Sequence, residues 1–231
     1  METDRKEIYR YLGYGVHPVD EETRKLVETC MEELERAEAH KAVMREFPLT
    51  VTEDGFIDGG CFRTKSRNLL KNLGGCDRIL VMAATLGAGV DRLLLRYGKL
   101  SVSRAVVMQA ASAAMVEAWC NEVCTGWKRA YEARGLYLRP RFSPGYGDFS
   151  LSCQEQILNG LEAGKRLGIT LTEGGLMMPS KSVTAVIGVG AYKELCPVEG
   201  CEACTKTDCL YRRETKLDDI RKEMEARHGN M

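Results

Sequence analysis

The sequence predicts an α+β domain built on an antiparallel or mixed sheet, and three observations support this prediction. Short strand-like segments and amphipathic helices follow one another without the regular alternation that is typical of a parallel doubly wound sheet. The chain has 231 residues, of which 44% are hydrophobic, and this is enough for one sizeable core. A dense group of cysteines follows the last predicted strand and marks a distinct C-terminal tail.

The N-terminal third predicts a helix, a hairpin and a second helix. Residues 19–46 place apolar side chains at three- and four-residue spacing among many charges, and Asp20 is suited to cap such a helix. Short apolar pieces broken by turn residues over 47–57 indicate strands or a hairpin. Residues 64–73 predict a helix that stops at the following glycine pair.

The middle of the chain predicts a buried strand over 78–85 that enters a glycine turn at 86–91 and then a helix. A strand, a glycine turn and a helix N-terminus together can bind a phosphate. However, neither the full dinucleotide fingerprint nor the lysine of a P-loop is present, so a tight structural turn is the favoured interpretation.

The longest helical pattern covers residues 104–133 and has two stripes. One stripe is apolar, and the other combines small and polar residues and includes Glu117. A further helix is predicted over 151–167, and strands around 169–173 and 182–189 complete the expected core.

A candidate binding loop lies between the long helix and the helix of 151–167. Arg139 and Arg141 offer planar guanidinium groups suited to a carboxylate or a phosphate. The turn of residues 144–147, Pro-Gly-Tyr-Gly, contains glycines that let the backbone approach a ligand closely. Taken alone, this segment is also compatible with an ordinary surface turn.

Composition narrows the class of partner. Lysine and arginine number 33, as do aspartate and glutamate, so the charge balance does not favour a nucleic acid or an anionic membrane. The N-terminus has no apolar signal core and no segment reaches the length of a membrane span, so we expect a cytoplasmic protein with a small-molecule or protein partner.

Three ordered motifs resemble one family. Glu117 on the long helix, the loop of residues 141–146 and the pair formed by 171–173 and 178–183 together resemble the activation domain of cobalamin-dependent methionine synthase, in a free-standing form. The resemblance covers roughly residues 77–189 and weakens toward both ends, so that residues 1–76 are matched less securely.

The resemblance implies a curved single domain with a central, mostly antiparallel sheet flanked by helices, occupying residues 1–190. It also implies S-adenosylmethionine binding, in which Glu117, Arg141, Ser143, Gly145 and Tyr146 match the ligand-contacting positions of the family. Glu117 and Arg141 are suited to the ammonium and carboxylate ends of an amino-acid-like ligand. No side-chain nucleophile is needed, because the sulfonium already activates the transferred methyl group.

In that family the domain supports the reductive remethylation of inactive cob(II)alamin. This chain departs from the pattern at Gly147 and Asp148, and the family's N-terminal acidic ligand has no clear counterpart. We expect no cobalamin-binding module in a sequence of this length, so the cobalamin is expected on a corrinoid protein or a methionine synthase core subunit. A flavodoxin or a ferredoxin is the implied kind of electron donor. The sequence leaves open whether the chain itself counts as an enzyme.

The tail of residues 191–231 holds Cys196, Cys201, Cys204 and Cys209 in a C-x4-C-x2-C-x4-C spacing. Four thiolates at this density suit a tetrahedral zinc site or an iron–sulfur cluster, and the spacing does not decide between them or exclude reduced thiols. A charged helix is expected after the last of these cysteines.

Three functions therefore remain as alternatives. The leading one is an accessory subunit that binds S-adenosylmethionine and presents it to a partner's corrinoid. The second is a metal or iron–sulfur redox or regulatory module that acts on a corrinoid protein without S-adenosylmethionine. The third is an adaptor that docks on a corrinoid protein without a ligand.

Overall fold

A computed structural model describes residues 3–15 and 17–192 of the chain. The helices are α1 Arg5–Tyr11, α2 Glu21–Ala37, α3 Arg67–Asn72, α4 Ala88–Leu100, α5 Val102–Glu132, α6 Cys153–Gly160 and α7 Ala163–Leu167. The strands are β1 Lys41–Pro48, β2 Thr50–Val51, β3 Ile57–Asp58, β4 Arg63–Thr64, β5 Cys76–Thr85, β6 Tyr137–Leu138, β7 Thr170–Leu171, β8 Met177–Met178 and β9 Ser182–Gly190.

The central sheet confirms the predicted α+β class. Its strand order is β1-β5-β9-β6, and every neighbouring pair is antiparallel. The two inner strands, β5 and β9, pair along nearly their whole length, from Thr85 opposite Ser182 to Cys76 opposite Gly190. Both strands are apolar on both faces because helices cover the sheet on each side.

Two layers of helix enclose this sheet. On one face α5 packs against Leu80, Met82 and Ile187, and it continues beyond the sheet into a core shared with α1, α2 and α4. On the opposite face α3, α6 and α7 pack against Val81 and Val186. No helix in the described part of the chain combines the length and apolar character needed to cross a membrane.

The helix predicted over 19–46 is wrong in about its last third. Asp20 caps the helix as expected, since its carboxylate accepts the N–H of Thr23 at 2.8 Å, but α2 ends at Ala37. Residues 41–48 instead form β1, whose residues all pair with β5. Long-range pairing with a buried strand therefore overrides the local helical pattern, because it satisfies the hydrogen bonds of one whole edge of β5.

Two further boundaries differ from the sequence expectation. The single helix predicted over 151–167 is two helices, separated where Glu162 adopts a left-handed backbone with φ of 52°. The strand predicted around 169–173 exists only as β7, which pairs with β8 in a separate two-stranded sheet rather than joining the central one. Strands β4, β6 and β8 and helix α1 were not predicted.

The glycine turn after β5 has a packing explanation. Gly87 adopts a positive φ of 84° and starts α4. At Gly89 a Cβ atom would lie 2.0 Å from the carbonyl oxygen of Ala37, so only glycine lets α4 approach the end of α2 this closely. This contact accounts for the second glycine of the turn by helix packing.

Candidate functional site

The loop after β6 runs along the edge of the sheet beside β9 and has one residue more than the stretch of β9 that it follows. Leu138 pairs with Val189, and Phe142 forms an isolated antiparallel bridge with Val186. The loop strand thus advances four residues while β9 advances three, which is a β-bulge between the two pairs. This bulge places Phe142 on the α6 face of the sheet and leaves Arg141 on the α5 face.

Arg141 meets helix α5 at the two polar positions that face it. Its Nη2 donates to Glu117 Oε2 at 3.1 Å and to Asn121 Oδ1 at 2.8 Å. These two acceptors are four residues apart, so one face of the helix presents both of them. The structure therefore brings together Glu117 and Arg141, two of the residues singled out from the sequence.

One nitrogen of this guanidinium group has no hydrogen-bond partner among the described residues. Nη1 of Arg141 is buried and makes no hydrogen bond with any part of the chain that the structure describes. A buried donor without an acceptor is costly, and it is all the more unusual on a charged group. The Cys120 thiol lies nearby, and burial raises the pKa of that thiol to about 12, so it supplies no anion there at neutral pH.

A cleft of about 470 Å³ opens beside Glu117. Helices α1 and α5 form its walls, and four of the side chains that line it are acidic. The full lining is Asp4, Glu7, Ala114, Glu117, Ala118, Asn121 and Glu122. Since Arg141 binds Glu117 and Asn121, its guanidinium group stands at the edge of this cleft.

Asp4 and Glu7 were missed as candidate site residues from the sequence. Asp4 caps α1 by accepting the N–H of Lys6 at 2.8 Å, and Glu7 pairs with Arg10 at 2.6 Å. The cap was a signal for a helix near the N-terminus. Only the packing of α1 against α5 reveals that these two carboxylates lie beside Glu117.

The Pro-Gly-Tyr turn follows Arg141 and is organised by its own backbone. The N–H of Gly145 donates to the carbonyl of Phe149 at 2.8 Å, and the N–H of Tyr146 donates to that of Ser143 at 3.1 Å. Gly145 has a φ of 92°, which explains the glycine. Two thirds of the Tyr146 side chain is exposed. Within the described chain, Ser143, Gly145 and Tyr146 make no hydrogen bond with Glu117 or Arg141.

Asp148 fixes the far end of this loop to helix α3. Its carboxylate accepts the Ser66 hydroxyl at 2.5 Å and the N–H groups of Arg67 at 2.8 Å and Asn68 at 3.1 Å. The Ser66 hydroxyl first, and then these backbone donors, hold the pKa of Asp148 below its ordinary value. The residue at which the loop departs from the family pattern therefore acts as a helix cap.

The four-cysteine metal site predicted at Cys196, Cys201, Cys204 and Cys209 lies outside the described residues. Among residues 3–15 and 17–192, no cluster of three or more histidine, cysteine, aspartate or glutamate side chains could hold a metal ion.

Comparison with known proteins identifies a fold but no family. No family model matches the sequence, and no curated protein matches it. The solved structures that share the fold include the MetH reactivation domain bound to AdoHcy. It has a TM-score of 0.57 and 17% sequence identity, and the match covers 84% of this chain and 79% of that one. At this identity the likeness establishes a common architecture.

Proposed function

We propose that this protein is an S-adenosylmethionine-binding accessory subunit of a cobalamin-dependent methionine synthase or of a related corrinoid methyltransferase. The observation that carries the proposal is the unpaired, buried Nη1 of Arg141 at the edge of an acidic cleft. The shared fold supports it, because the MetH reactivation domain was solved with AdoHcy, the demethylated form of S-adenosylmethionine.

The residues present fit the charges of this ligand. S-adenosylmethionine carries a carboxylate, an ammonium and a sulfonium. Arg141 is suited to the carboxylate, because Nη1 lacks an acceptor and Nη2 is held in place by Glu117 and Asn121. Glu117 and the other acidic residues of the cleft, Asp4 and Glu7 among them, are suited to the two positive groups.

The loop would place the exposed end of the ligand next to a partner. Gly145 adopts the positive φ that the turn requires. The ring of Tyr146 is exposed to solvent and is available to stack on a nucleoside or on the face of a corrin. One electron from a donor and the methyl cation equivalent of S-adenosylmethionine convert cob(II)alamin into methylcobalamin and leave S-adenosylhomocysteine. The role of the chain in this exchange is to bind and orient the methyl donor for the partner's cobalt.

Calorimetric titration of the full chain with S-adenosylmethionine tests binding. We expect Arg141→Ala to weaken binding by about a hundredfold, because it removes charge-assisted hydrogen bonds worth roughly 1.5–3 kcal/mol each. The affinity of Arg141→Lys for S-adenosylmethionine should lie between those of the wild type and Arg141→Ala, since lysine keeps the charge but not the planar fork. The matched control is Arg129→Ala, which removes an exposed arginine from the last turn of α5.

A functional assay tests the rest of the proposal. The protein is mixed with candidate cob(II)alamin proteins, a reductant and methyl-labelled S-adenosylmethionine, and methylcobalamin is measured. Label should reach the cobalamin of the true partner and fail to do so with Arg141→Ala. If the wild-type chain binds no S-adenosylmethionine, or if no candidate receives label, the corresponding half of the proposal is lost.

The second candidate function rests on the spacing of the four tail cysteines alone. In this case the chain is a metal or iron–sulfur module that acts on a corrinoid protein without S-adenosylmethionine. Iron, sulfide and zinc analysis of anaerobically purified protein decides it. A redox-active cluster in a chain that does not bind S-adenosylmethionine would favour this candidate, and protein free of iron and zinc would remove it.

A further inference from the structure

An apolar groove lies on the helical layer next to the acidic cleft and is separate from it. Its volume is about 490 Å³, and we call it the α4–α5 groove. Tyr11 of α1, Gly98 of α4 and Val102, Ala105, Val106 and Ala113 of α5 line it.

The groove is part of a wider exposed apolar surface. Leu95 is 68% exposed, Leu100 67%, Val102 79% and Val106 54%. Single exposed apolar residues are normal, but four on two adjoining helix segments around a concave surface are typical of a binding site.

The charges that α4 from Arg92 onward and the first half of α5 contribute beside this groove are all positive. Residues 92–116 contain no aspartate or glutamate, whereas they contain Arg92, Arg96, Lys99 and Arg104. Arg104 is neutralised by Glu33 of α2 at 2.7 Å. Arg92 and Lys99 are exposed and have neither an ion pair nor a hydrogen bond within the described chain. Helix α4 therefore brings unpaired positive charge to its side of the apolar surface, whereas the side formed by α1 adjoins the acidic cleft.

We infer that the α4–α5 groove is a docking site for an acidic amphipathic helix of a partner protein. The floor is built from helices whose small side chains, Gly98, Ala105 and Ala113, allow another helix to approach closely. A helix that lies there buries apolar residues at i, i+3 and i+4 spacing and turns its carboxylates toward Arg92 and Lys99.

Charge and shape favour this occupant over two others. A second copy of the chain, related by a twofold axis, would face the groove with the same surface and therefore with the same excess of positive charge. An anionic membrane would satisfy the positive charge, but its flat surface would leave the concave floor unfilled. The groove also borders the acidic cleft, since Ala113 lines the groove and Ala114 lines the cleft. A docked partner would thus stand beside the cleft.

The test uses the full chain and a labelled synthetic helix of roughly 18 residues, about five turns, with leucine on one face and glutamate on the other. Fluorescence anisotropy measures its binding, and the same peptide with lysine in place of glutamate is the control. We expect the acidic peptide to bind, with an affinity that falls as salt rises, and the basic peptide not to bind.

Two double variants locate the site. Val102→Glu with Val106→Glu should weaken binding at least tenfold, because it places carboxylates in the apolar floor. Arg92→Glu with Lys99→Glu should weaken it at least tenfold, and the affinity that remains should no longer fall as salt rises. Lys128→Glu with Arg129→Glu makes the same change of charge at the far end of α5 and should leave binding unchanged. Circular dichroism confirms that each variant is folded.

Other results would overturn the inference. These are no binding of the acidic peptide, equal binding of both peptides, or equal losses in the control variant. A dimer in sedimentation that Val106→Glu dissociates would assign the groove to a second copy. Binding to anionic vesicles that outcompetes the peptide would assign it to a membrane. Val102 and Val106 methyl resonances that a soluble paramagnetic probe does not broaden in the free monomer would show that the chain covers its own groove.

Discussion

Arg139 and Arg141 lie two residues apart on the same loop, yet they occupy opposite faces of the sheet. Arg139 is 8% exposed and donates from Nη2 to the carbonyl of Gly74 at 3.0 Å, on the face that carries α3. A Cβ at Gly188 would come within 2.9 Å of its Cγ, so that glycine makes room for the arginine. Arg141 instead reaches α5 and retains a nitrogen without a partner.

The difference separates an arginine that holds the fold from one that we propose for ligand binding. In a regular strand, residues two apart share a face, so both guanidinium groups would point the same way. The extra residue before Phe142 changes that for Arg141 alone. One face of the loop then anchors it in the core, and the other presents charge at the cleft.

The largest effect is expected from the anchoring face. Phe149 is buried and its ring lies 5.6 Å from that of Phe62 and 6.3 Å from that of Phe142. Phe149→Ala should lower the free energy of unfolding by about 3–5 kcal/mol through lost burial and a cavity. Urea denaturation measures it. The exposed Tyr146→Ala is the control and should change stability by less than about 0.5 kcal/mol, and equal losses in both variants would contradict the division of the loop.

The variant Glu117→Gln tests the proposed ligand-binding role of the Arg141 side of the loop. This change keeps the size of the side chain and removes its charge. If Glu117 binds a positive group of S-adenosylmethionine, affinity measured by calorimetry should fall by about tenfold, as for a charged hydrogen bond of roughly 1.5 kcal/mol. If Glu117 only forms an ion pair with Arg141, Glu117→Gln should leave the affinity for S-adenosylmethionine equal or higher. The proposed role of Glu117 in binding a positive group of the ligand would then be wrong.

A smaller, pH-dependent effect is expected at Asp148. Its pKa is lowered in the folded chain by the Ser66 hydroxyl and by the backbone N–H groups of α3. The carboxylate thus stabilises the fold above its unfolded pKa of about 3.9, and this contribution is lost as the pH falls through the lower folded value. Asp148→Asn should therefore lower the melting temperature at pH 7, and the gap from wild type should close in strongly acidic buffer. A gap that is independent of pH would exclude ionisation as its cause.

The sequence predicted some elements well because their signals are local. The strand over 78–85, the strand over 182–189 and the long helix from 104 are all present, with the first strand and the helix each beginning two residues earlier. Each of these segments has a continuous apolar run or a helical stripe that is longer than any pattern favouring another conformation. The helix predicted for residues 41–46 is wrong because their conformation depends on pairing with β5, and the local sequence carries no signal for that partner.

The candidate site shows the same division. From the sequence, Glu117 and Arg141 were expected to act together, and their side chains do meet. Their binding roles, like those of Ser143, Gly145 and Tyr146, stay predictions. Asp4 and Glu7 belong to the cleft only because α1 packs on α5, a contact between segments more than a hundred residues apart.

By itself, the sequence determined the α+β class, the long helix with Glu117 on its polar stripe, and the loop with its glycine turn. These follow from hydrophobic period and from the backbone freedom of glycine, which are properties of neighbouring residues. Only the tertiary structure decided that Arg141 and not Arg139 faces α5, and that carboxylates of α1 join Glu117. Both depend on strand register and helix packing, which are set by contacts between distant parts of the chain.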